Sequence, residues 1–152
     1  MKISTKGRYG VAAMYDLAIN YGQGPISLRS IAERQKISES YLEQLVSTLR
    51  KAGYVKSIRG AQGGYTLSKD PAQISVGDIV RIMEGPITLV DCLLEHSTDH
   101  DCCEREDICV TRDVWAKVSD SINRVVDSIS LADLCREEKL RGDVCDNEKS
   151  LF

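Results

Sequence analysis

The fold of this chain is decided by residues 27–49, which read SLRSIAERQKISESYLEQLVSTL. Ser27 and Ser38 each precede an apolar-periodic run, and a serine hydroxyl in that place can accept a hydrogen bond from a free N–H of the first helical turn. The period breaks around residues 35–37. The pattern therefore predicts two helices joined by a tight turn.

The second of these helices is predicted to have one apolar and one polar face, because residues three or four apart share a face. The polar face is free for recognition of a ligand. Tyr41, Leu42, Leu45 and Leu49 lie on the apolar side, and Ser40, Glu43, Gln44 and Ser47 lie on the polar side.

The flanking sequence extends this pair into a larger unit. Apolar residues at spacings of three and four over residues 9–21 predict a preceding helix. Residues 54–59 and 65–67 read as two strands around a glycine-rich turn, and Ser75 to Asp78 reads as a capping box of a helix that ends at residues 85–86. We therefore predict a mainly α fold with a small β-hairpin wing, a winged helix-turn-helix over residues 1–84.

The C-terminal half is predicted to contain a cysteine-bearing loop over 85–110, a long helix with a short terminal helix over 111–141, and a flexible tail over 142–152. The long helix carries a heptad-like seam. A seam of this kind packs either on a second copy of the chain, which would give a two-fold homodimer, or on the chain's own core. Its residues are Trp115, Val118, Ile122, Val125 and Ile129.

Charge divides the chain into two unlike halves. The whole chain has a formal net charge of −3, but residues 1–69 carry 11 Lys and Arg against 4 Asp and Glu. Residues 70–152 carry 9 against 19. A basic front half suits a polyanion such as double-stranded DNA, because Lys and Arg displace the counterions condensed on phosphates. A protein-interaction role for the winged helix is the alternative, which this charge disfavours.

Six residues are the candidates for DNA contact. The second helix of a helix-turn-helix lies in the major groove, where Ser40 and Gln44 can bond base edges and Glu43 can accept from cytosine while disfavouring guanine. Arg59, at the start of the wing turn, can enter a narrow minor groove. Lys56 and Arg8 are candidates for phosphate contact.

All six cysteines lie in the acidic half, in the pattern Cys92-x9-Cys102-Cys103-x5-Cys109 followed by Cys135 and Cys145. We expect a cytoplasmic protein with no membrane partner, since the chain shows neither a secretion signal nor a long apolar run. Grouped cysteines in a reducing compartment indicate metal or redox chemistry. The paired C-x2-C spacing of structural zinc is missing, so an iron–sulfur cluster is favoured, with zinc as the alternative. No phosphate loop or paired-carboxylate motif indicates an enzyme.

Four motifs together resemble a known family: MKISTKGRYG at 1–10, SYLEQL at 40–45, SIRG at 57–60 with GGY at 63–65, and ISLADL at 129–134. They are similar to the bacterial winged-helix iron–sulfur regulators of the IscR, NsrR and CymR type, over about residues 1–140, and most of all to the IscR branch. The resemblance implies a dimeric repressor or dual regulator that reads DNA with Ser40, Glu43, Gln44 and Arg59.

The same resemblance implies that Cys92, Cys103 and Cys109 hold an iron–sulfur cluster, with [2Fe-2S] favoured over [4Fe-4S] and iron–sulfur assembly proteins as the donors. The histidine ligand of the IscR branch is replaced here by Arg112, and the acidic ligand of the NsrR branch by Arg8. The fourth ligand is therefore left open among Cys102, His96, His100, Asp113 and an exogenous group.

The resemblance favours a repressor of iron–sulfur cluster assembly genes whose DNA binding follows cluster occupancy. Two alternatives share the fold. One is a nitric oxide or redox sensor that uses the same cysteines, and the other is a CymR-like regulator of cysteine metabolism that needs no cluster.

Overall fold

The architecture comes from a computed structural model, which describes residues 2–94 and 105–149. Those residues form six α-helices and one β-hairpin. The helices are α1 Thr5–Ile19, α2 Leu28–Gln35, α3 Glu39–Lys51, α4 Val76–Glu84, α5 Val110–Ser128 and α6 Leu131–Lys149, and the strands are β1 Val55–Ile58 and β2 Gly64–Leu67. The predicted fold class, mainly helical with a small β wing, is confirmed.

The helix-turn-helix forms where the serine caps predicted it. The Ser27 hydroxyl accepts a hydrogen bond from the N–H of Ser30 and begins α2. Ser38 occupies the N-cap position of α3, but its side chain makes no capping hydrogen bond there. Lys36 adopts a left-handed conformation, with φ of 54°, and ends α2. That single left-handed residue turns the chain between α2 and α3 within three residues.

The wing is an antiparallel hairpin in which Val55 pairs with Leu67 and Ile58 pairs with Gly64. Ile26, which precedes α2, adds a short third element by exchanging two backbone hydrogen bonds with Tyr65. Glycine is required at position 64, because a Cβ there would collide with the backbone of Ile26. The wing is thereby attached to the start of the helix-turn-helix.

The core lies between α1, α3 and α4 and includes the first turn of α6. Leu131 of α6 is fully buried in it. The turn before α6 also pairs with the start of α4, since the N–H of Val76 donates to the Ile129 carbonyl and the N–H of Leu131 donates to the Ile74 carbonyl. The C-terminal half is therefore joined to the helix-turn-helix. Other fully buried side chains are Met14, Leu17, Ile31, Leu42, Leu45, Leu49 and Ile79.

Two features of the C-terminal half differ from the sequence expectation. Helix α5 ends at Ser128, so Ile129 is extended and does not belong to the helical seam. Helix α6 is longer than the short helix predicted, since it continues through Gly142 to Lys149 in place of the expected tail. One glycine costs a helix only about 1 kcal/mol. Within the described residues, no helix has both the length and the apolar character needed to cross a membrane.

Candidate nucleic-acid interface and cysteine site

The exposed face of α3 carries the side chains that the sequence assigned to base recognition. Ser40, Glu43 and Gln44 are exposed, while the opposite side of the helix is buried. The start of α3 is supported by α1, because the rings of Tyr9 and Tyr41 meet edge to face with their centroids 6.0 Å apart. This support presents a polar helix face of fixed orientation.

The wing carries two exposed basic residues directly after this helix. Lys56 lies on β1 and Arg59 begins the turn that follows β1, and both are exposed. The base of the wing is fixed at Tyr54, whose N–H donates to the Leu49 carbonyl of α3 and whose ring lies 4.3 Å from the ammonium of Lys69. The hairpin thus follows the orientation of α3.

Arg8 has a different environment from the other basic candidates. It is exposed on α1 and lines a groove between α1 and α6 with Tyr15, Glu137 and Glu138 among its neighbours. Burial, and then a hydrogen bond with Glu138, raise the pKa of Tyr15 to about 12. The acidic side of this groove partly offsets the attraction of Arg8 for phosphate.

Cys92 and Cys109 are brought to the same end of α5. Cys92 lies in the 3-10 turn Asp91–Leu93, Cys109 immediately precedes α5, and both are partly exposed. The Nη2 atom of Arg112, in the first turn of α5, lies 3.4 Å from the Cys92 carbonyl oxygen. One arginine side chain therefore spans the distance between the two cysteine-bearing segments.

The thiol of Cys109 lies beside a hydroxyl group at the start of α5. Its sulfur lies 3.2 Å from the Thr111 Oγ1. Hydrogen bonding to this hydroxyl, and then to backbone N–H of Arg112, lowers the pKa of Cys109. The thiolate is the form that binds metals and that reacts with oxidants, so this environment favours both roles.

Among the other candidate ligands, the structure describes only Asp113. Cys103, Cys102, His96 and His100 lie outside the described residues. Asp113 is exposed in the first turn of α5 and lines a polar groove together with Cys109 and Asp107. Across residues 2–94 and 105–149, no three Cys, His, Asp or Glu side chains meet as a metal site.

Cys135 lies apart from this end of α5. It is partly buried against the hydrophobic core, and burial raises the pKa of its thiol. Both properties are those of a packed thiol, since desolvation disfavours the thiolate that a metal requires.

A family model described as Rrf2, iron-dependent transcriptional regulator, matches residues 3–137. The chain belongs to the Rrf2 family. The predicted resemblance to regulators of the IscR and CymR type is thereby confirmed, and the relatives are transcriptional regulators and not enzymes.

Individual relatives of this Rrf2 regulator include both types. The HTH-type transcriptional regulator CymR of Bacillus subtilis is 51% identical over 134 residues, which cover 88% of this chain and 89% of CymR. The HTH-type transcriptional regulator IscR of Cronobacter sakazakii is 40% identical over 148 residues, which cover 97% of this chain and 88% of IscR.

Solved structures of both types are also similar to this chain. CymR, the global cysteine regulator of B. subtilis, superposes with a TM-score of 0.75 at 49% identity, covering 90% of this chain and 98% of that one. IscR of T. potens superposes with a TM-score of 0.73 at 51% identity, covering 91% and 88%. Identity alone therefore does not assign this Rrf2 chain to the IscR branch or to the CymR branch.

Sequence reasoning missed the polar residues of α5 that hold the cysteine segment. Ser119 is the only buried residue of α5, and its hydroxyl oxygen lies 3.2 Å from the backbone nitrogen of Leu89. Asn123, one turn later, donates to the Ile87 carbonyl at 3.0 Å. A small polar stripe on an otherwise amphipathic helix was the signal available in the sequence.

Proposed function

We propose that this Rrf2 regulator binds double-stranded operator DNA as a homodimer and that an iron–sulfur cluster on Cys92, Cys103 and Cys109 controls which sites it binds. The observation that carries the proposal is the position of α5. This helix begins at the cysteine site, exposes an apolar seam and is clamped to α4 of the DNA-binding half. A structural change at the cysteines could therefore act through α5 on both the dimer interface and the DNA-binding half.

The DNA-reading surface is the exposed face of α3 together with the wing. Ser40 and Gln44 would contact base edges, and Glu43 would exclude sites that present guanine acceptors to it. Arg59 would enter the adjacent minor groove, and Lys56 and Arg8 would contact phosphates. In a two-fold dimer, two such surfaces bind two half-sites of a pseudo-palindromic operator.

The dimer would form along the seam of α5. Trp115, Val118 and Val125 are 43%, 40% and 58% exposed in the single chain, which is unusual for large apolar residues of one helix. Val118 and Val125 line an apolar groove that also includes Ile122. Pairing with the same helix of a second copy would remove this surface from water.

The cysteine site fits an iron–sulfur cluster as far as its residues are described. Cys92 and Cys109 offer two soft donors at the start of α5, and Cys103 is the third ligand implied by the family resemblance. A cluster on these cysteines would join the two segments, and oxidants or iron shortage could break that linkage. Arg112 cannot ligate a metal, so the fourth ligand would come from Asp113, Cys102, His96, His100 or an exogenous group. The favoured cluster is [2Fe-2S].

Such a regulator would act in the cytoplasm as a repressor of iron–sulfur cluster assembly genes, with assembly proteins donating its cluster. The first test is anaerobic purification followed by visible absorption and by iron and sulfide analysis. A brown protein with comparable iron and sulfide supports the proposal. A colourless protein that stays free of iron after chemical reconstitution contradicts the cluster, while the DNA-binding assignment stands.

The second test measures DNA binding. Sites selected from a pool of random-sequence duplex DNA by the loaded and by the metal-free protein should differ, because cluster loading would change the position of α5 relative to α4. Identical selected sites and affinities for both forms would contradict control by the cluster.

A second candidate function is regulation of cysteine metabolism without a cluster. The 51% identity to CymR of B. subtilis, the global cysteine regulator, favours it. This function predicts a metal-free protein whose affinity for selected DNA changes in the presence of a protein partner and is insensitive to iron.

A further inference from the structure

Helix α5 carries a polar stripe, which we define as Arg112, Ser119 and Asn123. Because a helix turns 100° per residue, these three positions share one face, separate from the apolar seam. Ser119 is 4% exposed, and polar side chains that are buried in this way are held by hydrogen bonds. The partners of the stripe therefore show its role.

All three residues bind the backbone of the segment that leads from α4 to Cys92. The Asn123 side-chain amide donates to the Ile87 carbonyl at 3.0 Å, and the Ser119 hydroxyl accepts from the Leu89 N–H at 3.2 Å. Arg112 donates to the Cys92 carbonyl at 3.4 Å. The segment thus runs antiparallel to α5, towards the end at which Cys109 lies.

The lengths of the two elements agree with this arrangement. From Asn123 back to Arg112 the helix rises about 16 Å, at ~1.5 Å for each residue. From Ile87 to Cys92 a fully extended backbone would span at most about 16 Å, at ~3.3 Å for each residue, and the 3-10 turn Asp91–Leu93 makes the actual span shorter. The long side chain of Arg112 covers the remaining distance to the Cys92 carbonyl.

The stripe is also anchored to the DNA-binding half. The Asn123 Oδ1 accepts from the Arg81 Nη2 of α4 at 2.8 Å, and the same Nη2 atom lies 2.8 Å from both carboxylate oxygens of Asp127. Asn123 therefore joins the segment, α5 and α4 in one network.

We propose that the polar stripe of α5 positions Cys92 beside Cys109 before any metal binds. The proposal rests on the proposed function in that it takes these two cysteines as ligands, and it assigns Arg112, Ser119 and Asn123 as positioning residues for the site. Arg112, which stands where the IscR branch has a ligand, holds the backbone of a ligand instead of the metal.

The test is cross-linking of metal-free protein with bismaleimidoethane, in a background where Cys102, Cys103, Cys135 and Cys145 are serine. Cys92 and Cys109 should cross-link within one chain, and Ser119→Ala should slow that reaction by about fivefold or more, as loss of one buried hydrogen bond implies. The matched control is Ser121→Ala on the same helix. Ser121 is exposed, and its hydroxyl donates to the Lys117 carbonyl and accepts from Arg124, both on its own helix. Its replacement should leave the rate unchanged.

A second pair of variants, at the partly exposed Arg112, tests the same proposal in case the buried Ser119→Ala variant misfolds. Arg112→Ala should slow cross-linking, and Arg112→Lys should restore much of the rate because it keeps a donor, with helix content by circular dichroism unchanged in both. Unchanged rates in Ser119→Ala and Arg112→Ala, or an equal loss in Ser121→Ala, would overturn the proposal. Because the test uses metal-free protein, a chain that shows this cross-linking pattern but takes up no iron on reconstitution would contradict the cluster hypothesis alone.

Discussion

At the scale of single residues, the recognition surface depends on side chains that carry little of the stability. Ser40, Glu43, Gln44 and Arg59 are all exposed, so their replacement leaves the core intact. Surface changes of this kind alter the free energy of unfolding by about 0.5 kcal/mol or less. Variants at these positions therefore report on DNA binding and not on folding.

We expect Arg59→Ala to weaken DNA binding by about fivefold or more, since an arginine inserted into a groove contributes ~1–3 kcal/mol. Fluorescence anisotropy with a selected DNA duplex measures the change. The control is Arg136→Ala, which removes another exposed arginine, on α6, and should bind DNA as tightly as the unmodified protein does. The visible absorption of the cluster-loaded protein should be the same for the unmodified protein and for both variants. An unchanged affinity for Arg59→Ala would remove the wing from the proposed interface.

Asp16 of α1 is the one buried charged residue in the part of the chain that the structure describes. It is 1% exposed, and its carboxylate accepts two hydrogen bonds from Arg34 and one from Gln35, which attach α2 to α1. Asp16→Ala should leave both donors unpaired and lower the free energy of unfolding by about 1–3 kcal/mol. This range lies below that of a fully buried ion pair, because the Arg34 side chain is half exposed. Urea unfolding checks this. Glu33→Ala, which removes only the exposed pair with Arg29, should cost under about 1 kcal/mol.

At the scale of elements, α5 serves two surfaces at once. One face carries the apolar seam, and another carries the polar stripe that binds the cysteine segment and α4. Helix α4 is in turn packed closely on α1 and α3, so α5 is one element away from the recognition helix. A helix with a single buried residue depends on its partners for stability.

Val118→Glu should convert the dimer to monomer, because it places a charge in the centre of the seam where burial without a partner is costly. Sedimentation equilibrium measures the mass directly. Arg124→Glu introduces the same side chain on another face of α5 and should leave the dimer intact. A Val118→Glu protein that stays dimeric would show that another surface joins the two copies.

At the scale of the whole molecule, a basic DNA-binding half is connected to an acidic, cysteine-bearing half. The connection is made by the clamp of Arg81 on Asn123 and Asp127, and by the backbone pairing of Ile129 and Leu131 with the entry to α4. Coupling between two sites can be carried by packed elements that have two discrete arrangements. The clamp is the side-chain part of this connection and can be removed by one substitution.

Arg81→Ala should reduce the ratio of DNA affinities between the loaded and the metal-free protein towards one, while the absorption of the cluster is retained. The reason is that α5 would then be held to α4 by fewer contacts. Anisotropy titrations of both forms with the same duplex give the ratio. A variant that keeps the parent ratio would place the coupling in the backbone pairing instead.

The sequence by itself determined the helix-turn-helix, the wing and the candidate ligands. Serine caps, the apolar period of α3 and the glycines of the hairpin act over a few neighbouring residues, so each can be recognised locally. The family motifs and cysteine spacing indicated the chemistry in the same way. Only the tertiary structure decided that Arg112 reaches Cys92, that Ser119 and Asn123 hold the segment between them, and that α6 begins in the core of the N-terminal half. These contacts join residues 20 to 36 positions apart, or further, and depend on how whole helices pack, which no local pattern encodes.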